Sequence, residues 1–150
     1  MTGRRGRPTG QIKLSMHKRK VNLFIYGSLR DSRIFKSVSG FAFTRKPSKI
    51  DVKTLFAEPA FLPGHRRVSP DNVYYYAVKT PDARIEGFVI HDVPLSAMAE
   101  VDRYEGKRYQ RETVHVYTAH GKVEAHAYLV TPESMRKRFG DRFHVNLIHE

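Results

Sequence analysis

The chain has no cysteine and no tryptophan among its 150 residues, and only 15 of these residues are acidic. The absence of cysteine excludes disulfides, a thiolate nucleophile and any Cys-based metal site. The longest uninterrupted apolar run, residues 73–78, is six residues long, whereas a helix needs ~20 to span a bilayer. We therefore expect no transmembrane helix. No apolar segment follows the basic N-terminus, so we expect no secretory signal either, and the cytoplasm is the predicted location.

The excess of positive charge is concentrated at the start of the chain. There are 27 Lys and Arg residues, which gives a formal net charge of +12, and residues 1–20 contribute +7 of it without a single acid. This segment is rich in glycine and poor in apolar residues, so it cannot bury enough surface to offset the entropy of ordering. We predict a flexible basic arm over residues 1–20 and one folded domain over residues 21–150. The arm is either a solvated tail or a weak contact to nucleic acid.

The remaining sequence predicts several strands joined by short turns. Apolar, β-branched and aromatic residues predict strands at 21–26, 52–61, 73–79, 84–91, 109–118 and 122–130. Turn residues at 63–64 and 70–72 separate the second of these strands from the third. Helical spacing of apolar residues predicts a short helix over 94–105, and Thr131-Pro132-Glu133 predicts the start of another. The residues after Leu29 are expected to form a short helical or irregular stretch that ends near Gly40. The pattern favours an antiparallel α+β domain or a small barrel.

Common catalytic motifs are missing. The sequence has no GxSxG elbow, no GxxxxGK[ST] phosphate loop and no GxGxxG. A hairpin turn at His120-Gly121 would place His115 opposite His126, and two imidazoles could begin a metal site, although no spacing supplies further ligands. A metal-dependent hydrolase is therefore one hypothesis to test.

A run of three tyrosines, 74–76, has two possible roles. Exposed tyrosines could stack on RNA bases. The simpler interpretation is that these side chains pack in the core, because the surrounding residues have no aromatic-glycine rhythm.

Two other segments are more informative together. Residues 24–29, Phe-Ile-Tyr-Gly-Ser-Leu, form a buried strand that runs into a glycine turn, where consecutive N–H groups can bind a carboxylate or an oxyanion. Residues 101–106 end the predicted helix with Glu105, near the negative end of the helix dipole and close to aromatic residues. Both influences raise a carboxyl pKa, which suits a general acid/base.

These segments, FIYGSLR, EGFVI and VDRYEGKRYQRETVHVY, resemble the γ-glutamylcyclotransferase-like (AIG2-like) family. That family has a strand running into YG[ST]L, a G-x-[VI] strand, and a helix ending in LDxxEG followed by Y-x-R. The resemblance covers residues 21–130 and departs from the family pattern at Val101, where leucine is usual. Residues 39–70 match only loosely.

The resemblance implies an α+β fold, a small mixed or antiparallel β-barrel with short helices. It also implies an enzyme that cyclises a γ-glutamyl amine or γ-glutamyl amino acid to 5-oxoproline and releases the amine. Glu105 would be the proton shuttle, and Tyr26, Gly27, Ser28 and Leu29 would grip the γ-glutamyl group. Tyr109 would line the site, and Arg111 would orient Tyr109 or bind a carboxylate.

In this reaction the substrate's own amine is the nucleophile, so the resemblance implies no metal and no cofactor. The partner is a small γ-glutamyl molecule whose leaving amine the sequence does not identify. The competing hypothesis is a non-catalytic binding protein on the same scaffold, associated with nucleic acid through residues 1–20.

Overall fold

The computed structural model describes residues 19–140. The strands are β1 (Lys20–Ile25), β2 (Ala42–Thr44), β3 (Thr54–Val68), β4 (Tyr76–Pro94), β5 (Gln110–Thr118) and β6 (Gly121–Leu129). The helices are α1 (Ser32–Ser39), α2 (Leu95–Glu105) and α3 (Pro132–Phe139), with single 3-10 turns at Ser28–Arg30, Pro47–Lys49 and Gly106–Arg108. The predicted basic arm lies outside the described residues except at its end, where Lys20 begins β1.

The strands form a mixed sheet that closes on itself. The order is β2-β3-β4-β1-β6-β5, and β5 also pairs with β3 through Phe61 and Tyr117. Strands β3, β4, β1, β6 and β5 therefore complete a ring, and β2 extends β3 outside it. The β1–β6 and β2–β3 pairs are parallel and the others antiparallel. This confirms the predicted small mixed barrel with short helices.

The first strand is apolar on both faces because both faces are buried. Leu23 and Ile25 pack towards α1 and α2, in a cluster that includes Phe35 and Met98. The alternate residues Phe24 and Tyr26 point into the barrel, where they meet residues of β3 to β6. Burial on both sides fixes the end of β1, which leads directly into the predicted YGSL turn.

Strands β3 and β4 are longer than the sequence predicts. The turn signal at 63–64 lies inside β3, and the two strands predicted at 73–79 and 84–91 are parts of one β4. The pairing shifts from Pro63 opposite Arg84 to His65 opposite Lys79, so an irregularity absorbs these residues without ending the hairpin. The predicted turn at 70–72 does separate the strands. The hairpin loop, residues 69–75, carries Tyr74 and Tyr75.

The hairpin β5–β6 has a different register from the predicted one. Its turn is Ala119-His120, because Thr118 pairs with Gly121. Gly121 has φ of 122°, a conformation favourable for glycine, and it begins β6 rather than completing the turn. His126 is therefore opposite Thr113, and His115 is opposite Glu124. The prediction that the two histidines face each other is wrong.

The helix ends lie close to their predicted positions. Helix α2 ends at Glu105, and the N–H of Gly106 donates to the Asp102 carbonyl. Gly106 has φ 73° and ψ −167°, a region almost restricted to glycine, which turns the chain away immediately after Glu105. In α3, Thr131 accepts a hydrogen bond from the Ser134 N–H. The stretch after Leu29, expected to be helical or irregular, contains the helix α1, which stops at Gly40.

Candidate active site

A pocket of about 250 Å³ opens where β1 ends. Its walls come from the end of β1 with the turn that follows it, and from the 69–75 loop. The end of α2, the 3-10 turn after it and the residue before β5 complete the walls. The residues that line it are Phe24, Ile25, Tyr26, Gly27, Ser28, Leu29, Val73, Tyr74, Tyr75, Tyr104, Glu105, Arg108, Tyr109 and Tyr128. A pocket of this size suits a small molecule.

The turn after β1 presents backbone N–H groups. Among the described residues, the amides of Gly27, Ser28 and Leu29 have no hydrogen-bond acceptor. The carbonyls of this turn are already occupied: Arg67 Nη1 donates to Tyr26 O at 3.2 Å, and Arg30 Nε donates to Gly27 O at 3.0 Å. Ser28 Oγ and the Tyr104 hydroxyl share a hydrogen bond of 2.8 Å. The turn is thus held from its carbonyl side and from α2.

The carboxyl group of Glu105 projects into this pocket from the last residue of α2. Burial raises its pKa from the ordinary 4.5 to about 7, and the nearby Arg108 guanidinium only partly opposes that rise. Within residues 19–140 the carboxyl has no hydrogen-bond or ion-pair partner. A carboxyl with a pKa near 7 can accept and release a proton under neutral conditions.

Two exposed tyrosines of the 69–75 loop cover part of the pocket. Tyr74 is 42% exposed and Tyr75 is 38% exposed. The Tyr109 hydroxyl donates to the Tyr75 carbonyl at 2.6 Å, which ties the loop to the start of β5. Burial, together with the Glu105 charge, raises the pKa of Tyr109, so its hydroxyl stays protonated at neutral pH. Tyr76 of the same run is fully buried against Tyr109, at a ring-centroid distance of 5.3 Å.

A polar network holds the end of α2 against the barrel. Asp102 lies one helical turn before Glu105, and its Oδ1 accepts from the Tyr128 hydroxyl at 2.6 Å. Arg111 clamps the same carboxylate, with Nε 2.9 Å from Oδ1 and Nη2 3.1 Å from Oδ2. The Tyr26 hydroxyl in turn donates to the Tyr128 carbonyl. Asp102 therefore connects the helix that bears Glu105 to β5, to β6 and, through Tyr128, to the YGSL turn.

Comparison with known proteins identifies the family of the chain that carries this site. The model of the family described as gamma-glutamyl cyclotransferase, AIG2-like, matches residues 23–143. The chain belongs to this family. A search of curated proteins finds no match.

Solved structures share the cyclotransferase fold at low sequence identity. The Arabidopsis thaliana protein At3g28950.1 is 22% identical, with a TM-score of 0.60 over 85% of this chain and 79% of that one. A second Arabidopsis thaliana protein, At5g39720.1, is 21% identical, with a TM-score of 0.60 over 88% of each chain. A protein described as gamma-glutamyl cyclotransferase is 20% identical, with a TM-score of 0.54 over 75% of this chain and 68% of that one. At these identities the likeness establishes the fold.

The structure brings most of the predicted site residues of this cyclotransferase-family protein together. Tyr26, Gly27, Ser28, Leu29, Glu105 and Tyr109 all line the one pocket. Arg111 is placed differently, in a neighbouring groove with Asp102 and His126. Its guanidinium is engaged by Asp102 and does not line the Glu105 pocket, as far as the described residues show.

Several pocket residues were not expected from the sequence. The interpretation of residues 74–76 as core is wrong for Tyr74 and Tyr75, because β4 begins only at Tyr76 and the two preceding tyrosines remain in the loop. Tyr128 and Arg108 also went unassigned. Arg108 follows Glu105 by three residues, and this proximity in sequence was the available signal for it.

The metal hypothesis loses its geometric basis. His126 Nδ1 lies 2.7 Å from Arg111 Nη1, and since a guanidinium only donates, this nitrogen is an acceptor that is already used. Burial and the Arg111 charge lower the pKa of His126. Among residues 19–140 no group of three or more His, Asp and Glu side chains is arranged to hold a metal ion. The same residues contain no helix with the length and apolarity that crossing a membrane requires.

Proposed function

We propose that this protein cyclises a γ-glutamyl amine or γ-glutamyl amino acid to 5-oxoproline, with release of the amine. The substrate's α-amine attacks its own γ-carbonyl carbon, so a C–N bond forms and closes a five-membered ring. The bond from that carbon to the leaving nitrogen breaks, and one proton passes from the attacking nitrogen to the leaving one. No water is consumed. The observation that carries this proposal is the unpaired Glu105 carboxyl, with a pKa of about 7, in the pocket of a cyclotransferase-family protein.

In this mechanism Glu105 moves the proton. The attacking amine becomes acidic once its nitrogen is bonded to the carbonyl carbon, and the leaving nitrogen must be protonated before it departs. A carboxylate that accepts the first proton and returns it to the second nitrogen serves both needs. Its pKa should lie near the working pH, because a stronger acid would accept poorly and a weaker acid would donate poorly. The raised pKa of Glu105 meets this requirement.

The turn at residues 26–29 holds the substrate in the reactive conformation. Its free N–H groups suit a carboxylate of the glutamyl group or the oxyanion that develops on the γ-carbonyl oxygen. Holding the amine close to the carbonyl removes several kcal/mol of entropic barrier, on the order of what intramolecular reactions gain. The guanidinium groups behind the turn, from Arg30 and Arg67, fix its carbonyls and so fix the direction of its amides.

Tyr109 and Arg111 act differently in this proposal. Tyr109 lines the pocket as a neutral phenol and secures the covering loop through the Tyr75 carbonyl. Arg111 acts through Asp102, which it clamps, and is a positioning residue for the end of α2.

The test is release of 5-oxoproline from a panel of γ-glutamyl amino acids, γ-glutamyl amines and glutathione. We expect at least one substrate to be converted, with a rate about 10²- to 10⁴-fold lower in the isosteric variant Glu105→Gln. Glu100→Gln is the matched control, since Glu100 lies on the same helix, exposed to solvent and paired with Arg103. Full activity in Glu105→Gln would exclude the mechanism. Absence of product from the whole panel, with binding of a γ-glutamyl compound retained, would instead support the binding-protein hypothesis.

A further inference from the structure

The pocket contains one guanidinium among its described lining residues, that of Arg108. Glu105 is the one carboxyl group in the same lining. Arg108 ends the 3-10 turn that follows Glu105, and its charge is close enough to lower the pKa values of Glu105 and Tyr109 against the rise caused by burial. The electrostatic character of the pocket therefore depends on these two side chains.

The guanidinium of Arg108 is preorganised but incompletely used. Its central carbon lies 3.9 Å from the centre of the Tyr74 ring, so the aromatic face supports the guanidinium plane. Its Nε and the hydroxyl of Tyr76 are both buried without a close hydrogen-bond partner among the described residues, and the guanidinium acts on that hydroxyl to lower its pKa against the rise caused by burial.

Two other arginines near the pocket each donate a hydrogen bond to a backbone carbonyl of the turn. Arg30 and Arg67 donate to the carbonyls of Gly27 and Tyr26, and both stack on Tyr75. Neither lines the pocket. Arg108 is thus the cation left to meet an anionic group of the substrate.

We propose that Arg108 binds a carboxylate on the leaving group, so that the enzyme prefers γ-glutamyl amino acids to γ-glutamyl amines without that carboxylate. This inference rests on the proposed function. A guanidinium offers paired N–H donors that match the two oxygens of a carboxylate. The guanidinium lines the pocket, and its neighbours among the described residues, the Tyr76 hydroxyl and the more distant Asp71 carboxylate, leave it capacity for a further acceptor.

The position of Arg108 favours the leaving group over the glutamyl group. The amides of Gly27, Ser28 and Leu29 already offer donors for the glutamyl part, in the turn beside Tyr75. Arg108 instead stacks on Tyr74, an exposed residue of the 69–75 loop. We therefore place the leaving group beside Arg108.

Two substrates that differ in a single group test this assignment. γ-Glutamylalanine and γ-glutamylethylamide have the same glutamyl part and the same carbon skeleton around the leaving nitrogen, but only the first carries a carboxylate there. We expect the wild-type kcat/KM to favour γ-glutamylalanine roughly 10- to 100-fold. Arg108→Gln should bring the ratio of the two values close to one, whatever it does to the absolute rates. Arg108→Lys should keep part of the preference, since it preserves the charge but not the paired donors. Arg103→Gln, which alters an exposed arginine of α2, should leave the ratio as in the wild type.

The ratio of the two kcat/KM values distinguishes loss of carboxylate recognition from general damage to the pocket. Arg108 also supports Tyr74 and Asp71, and loss of that support would lower both rates by the same factor. An unchanged ratio in Arg108→Gln would therefore overturn the inference. Calorimetric binding of the same two compounds to Glu105→Gln tests it without turnover. Equal affinities, or binding of neither, would overturn it even if the cyclisation itself were confirmed, and tighter binding of γ-glutamylalanine would support it even if no turnover were found.

Discussion

Gly87 of β4 lies directly against the carbonyl oxygen of Ile25, so close that a Cβ at residue 87 would be 2.3 Å from that oxygen. The same Cβ would be 2.9 Å from the Phe24 ring. Residues 24 and 25 end the strand that leads into the YGSL turn, and both line the pocket. The spacing of the two strands therefore fixes where the turn begins.

Gly87→Ala should consequently move the YGSL turn as well as destabilise the fold. The added methyl group meets backbone, which cannot rotate away, so β1 and β4 must separate. Overpacking of this kind costs about 1–3 kcal/mol. We expect a lower midpoint in urea denaturation and a kcat/KM that falls more than the loss of folded protein explains.

Gly27→Ala is the matched control for this change. A Cβ at Gly27 would be 3.6 Å from Tyr75 Cβ, an ordinary contact, so its effect on stability should be smaller. Equal stability of Gly87→Ala and the wild type would contradict the close approach.

The sequence predicts the YGSL turn and Glu105 better than it predicts the 69–75 loop that covers part of the pocket. The YGSL turn and Glu105 are specified locally, by an apolar run that ends in glycine and by a helix that ends before Gly106. The position of Tyr74 and Tyr75 depends on the hairpin β3–β4, whose irregularity spans Pro63 to His65 and cannot be distinguished from a turn by composition. The role of Arg111 depends on its distance from Asp102, which comes from the packing of α2 on the sheet. Patterns in the local sequence therefore predict strands, helices and turns, whereas the contacts between side chains can be known only from the tertiary structure.

Glu105→Gln should be more stable than the wild type at neutral and alkaline pH. The folded-state pKa of Glu105 is about 7, above its ordinary 4.5, so the folded protein binds this proton more tightly than the unfolded chain does. Any stability linked to it is complete below pH 4.5 and is lost as the pH rises through about 7. The full loss corresponds to about 3 kcal/mol of unfolding free energy.

Urea denaturation of both proteins between pH 4.5 and 8.5 measures this difference. The gap between the two unfolding free energies should widen in favour of the glutamine variant up to about pH 7.5 and then stay constant. A gap that does not change with pH would mean that the carboxyl titrates normally.

The same pKa predicts the acid limb of the activity profile. If Glu105 accepts the proton of the attacking amine, only its ionised form is competent in the free enzyme, and kcat/KM should rise with pH to an apparent pKa of about 7. The substrate amine also titrates, at higher pH, so a slow substrate and a wide pH range are needed to separate the two. In Glu105→Gln the residual activity should lack the limb near pH 7. A limb near pH 4.5 in the wild type would indicate a solvated carboxyl.

The hypothesis that residues 1–20 contact nucleic acid, as opposed to forming a solvated tail, can be tested directly. Residues 1–20 carry +7, of which residues 1–18 carry +5, so binding to a DNA or RNA duplex should weaken steeply with added salt and disappear when the segment up to residue 18 is removed. Residues 19 and 20 must be kept, because the Arg19 carbonyl accepts from the Leu95 N–H and Lys20 begins β1. Gel-shift titrations of the full and shortened chains at two salt concentrations measure the effect. Binding that survives the truncation would assign it to the folded domain.

Replacing Asp102 should show whether this residue only positions Glu105 or takes part in the proton transfer itself. Its carboxylate is clamped by Arg111 on two donors and accepts from Tyr128, yet it does not line the Glu105 pocket as described for residues 19–140. Asp102→Asn keeps the shape but replaces one acceptor oxygen with a donor that faces a guanidinium. Since the pair is partly exposed, we expect a loss of only about 1 kcal/mol in unfolding free energy.

The effect on activity should be larger than the effect on stability. The end of α2 would lose its tie to β5 and β6, so Glu105 would sample positions away from the substrate, and a displacement of about 1 Å can cost on the order of 10²-fold in rate. The pH limb near 7 should remain, since Glu105 itself is intact, and KM should change less than kcat. Tyr128→Phe removes one of the same hydrogen bonds while leaving the Arg111 clamp, and should show the same pattern more weakly. If Asp102→Asn abolished the limb near pH 7, Asp102 would belong to the proton transfer itself and not to the support of Glu105.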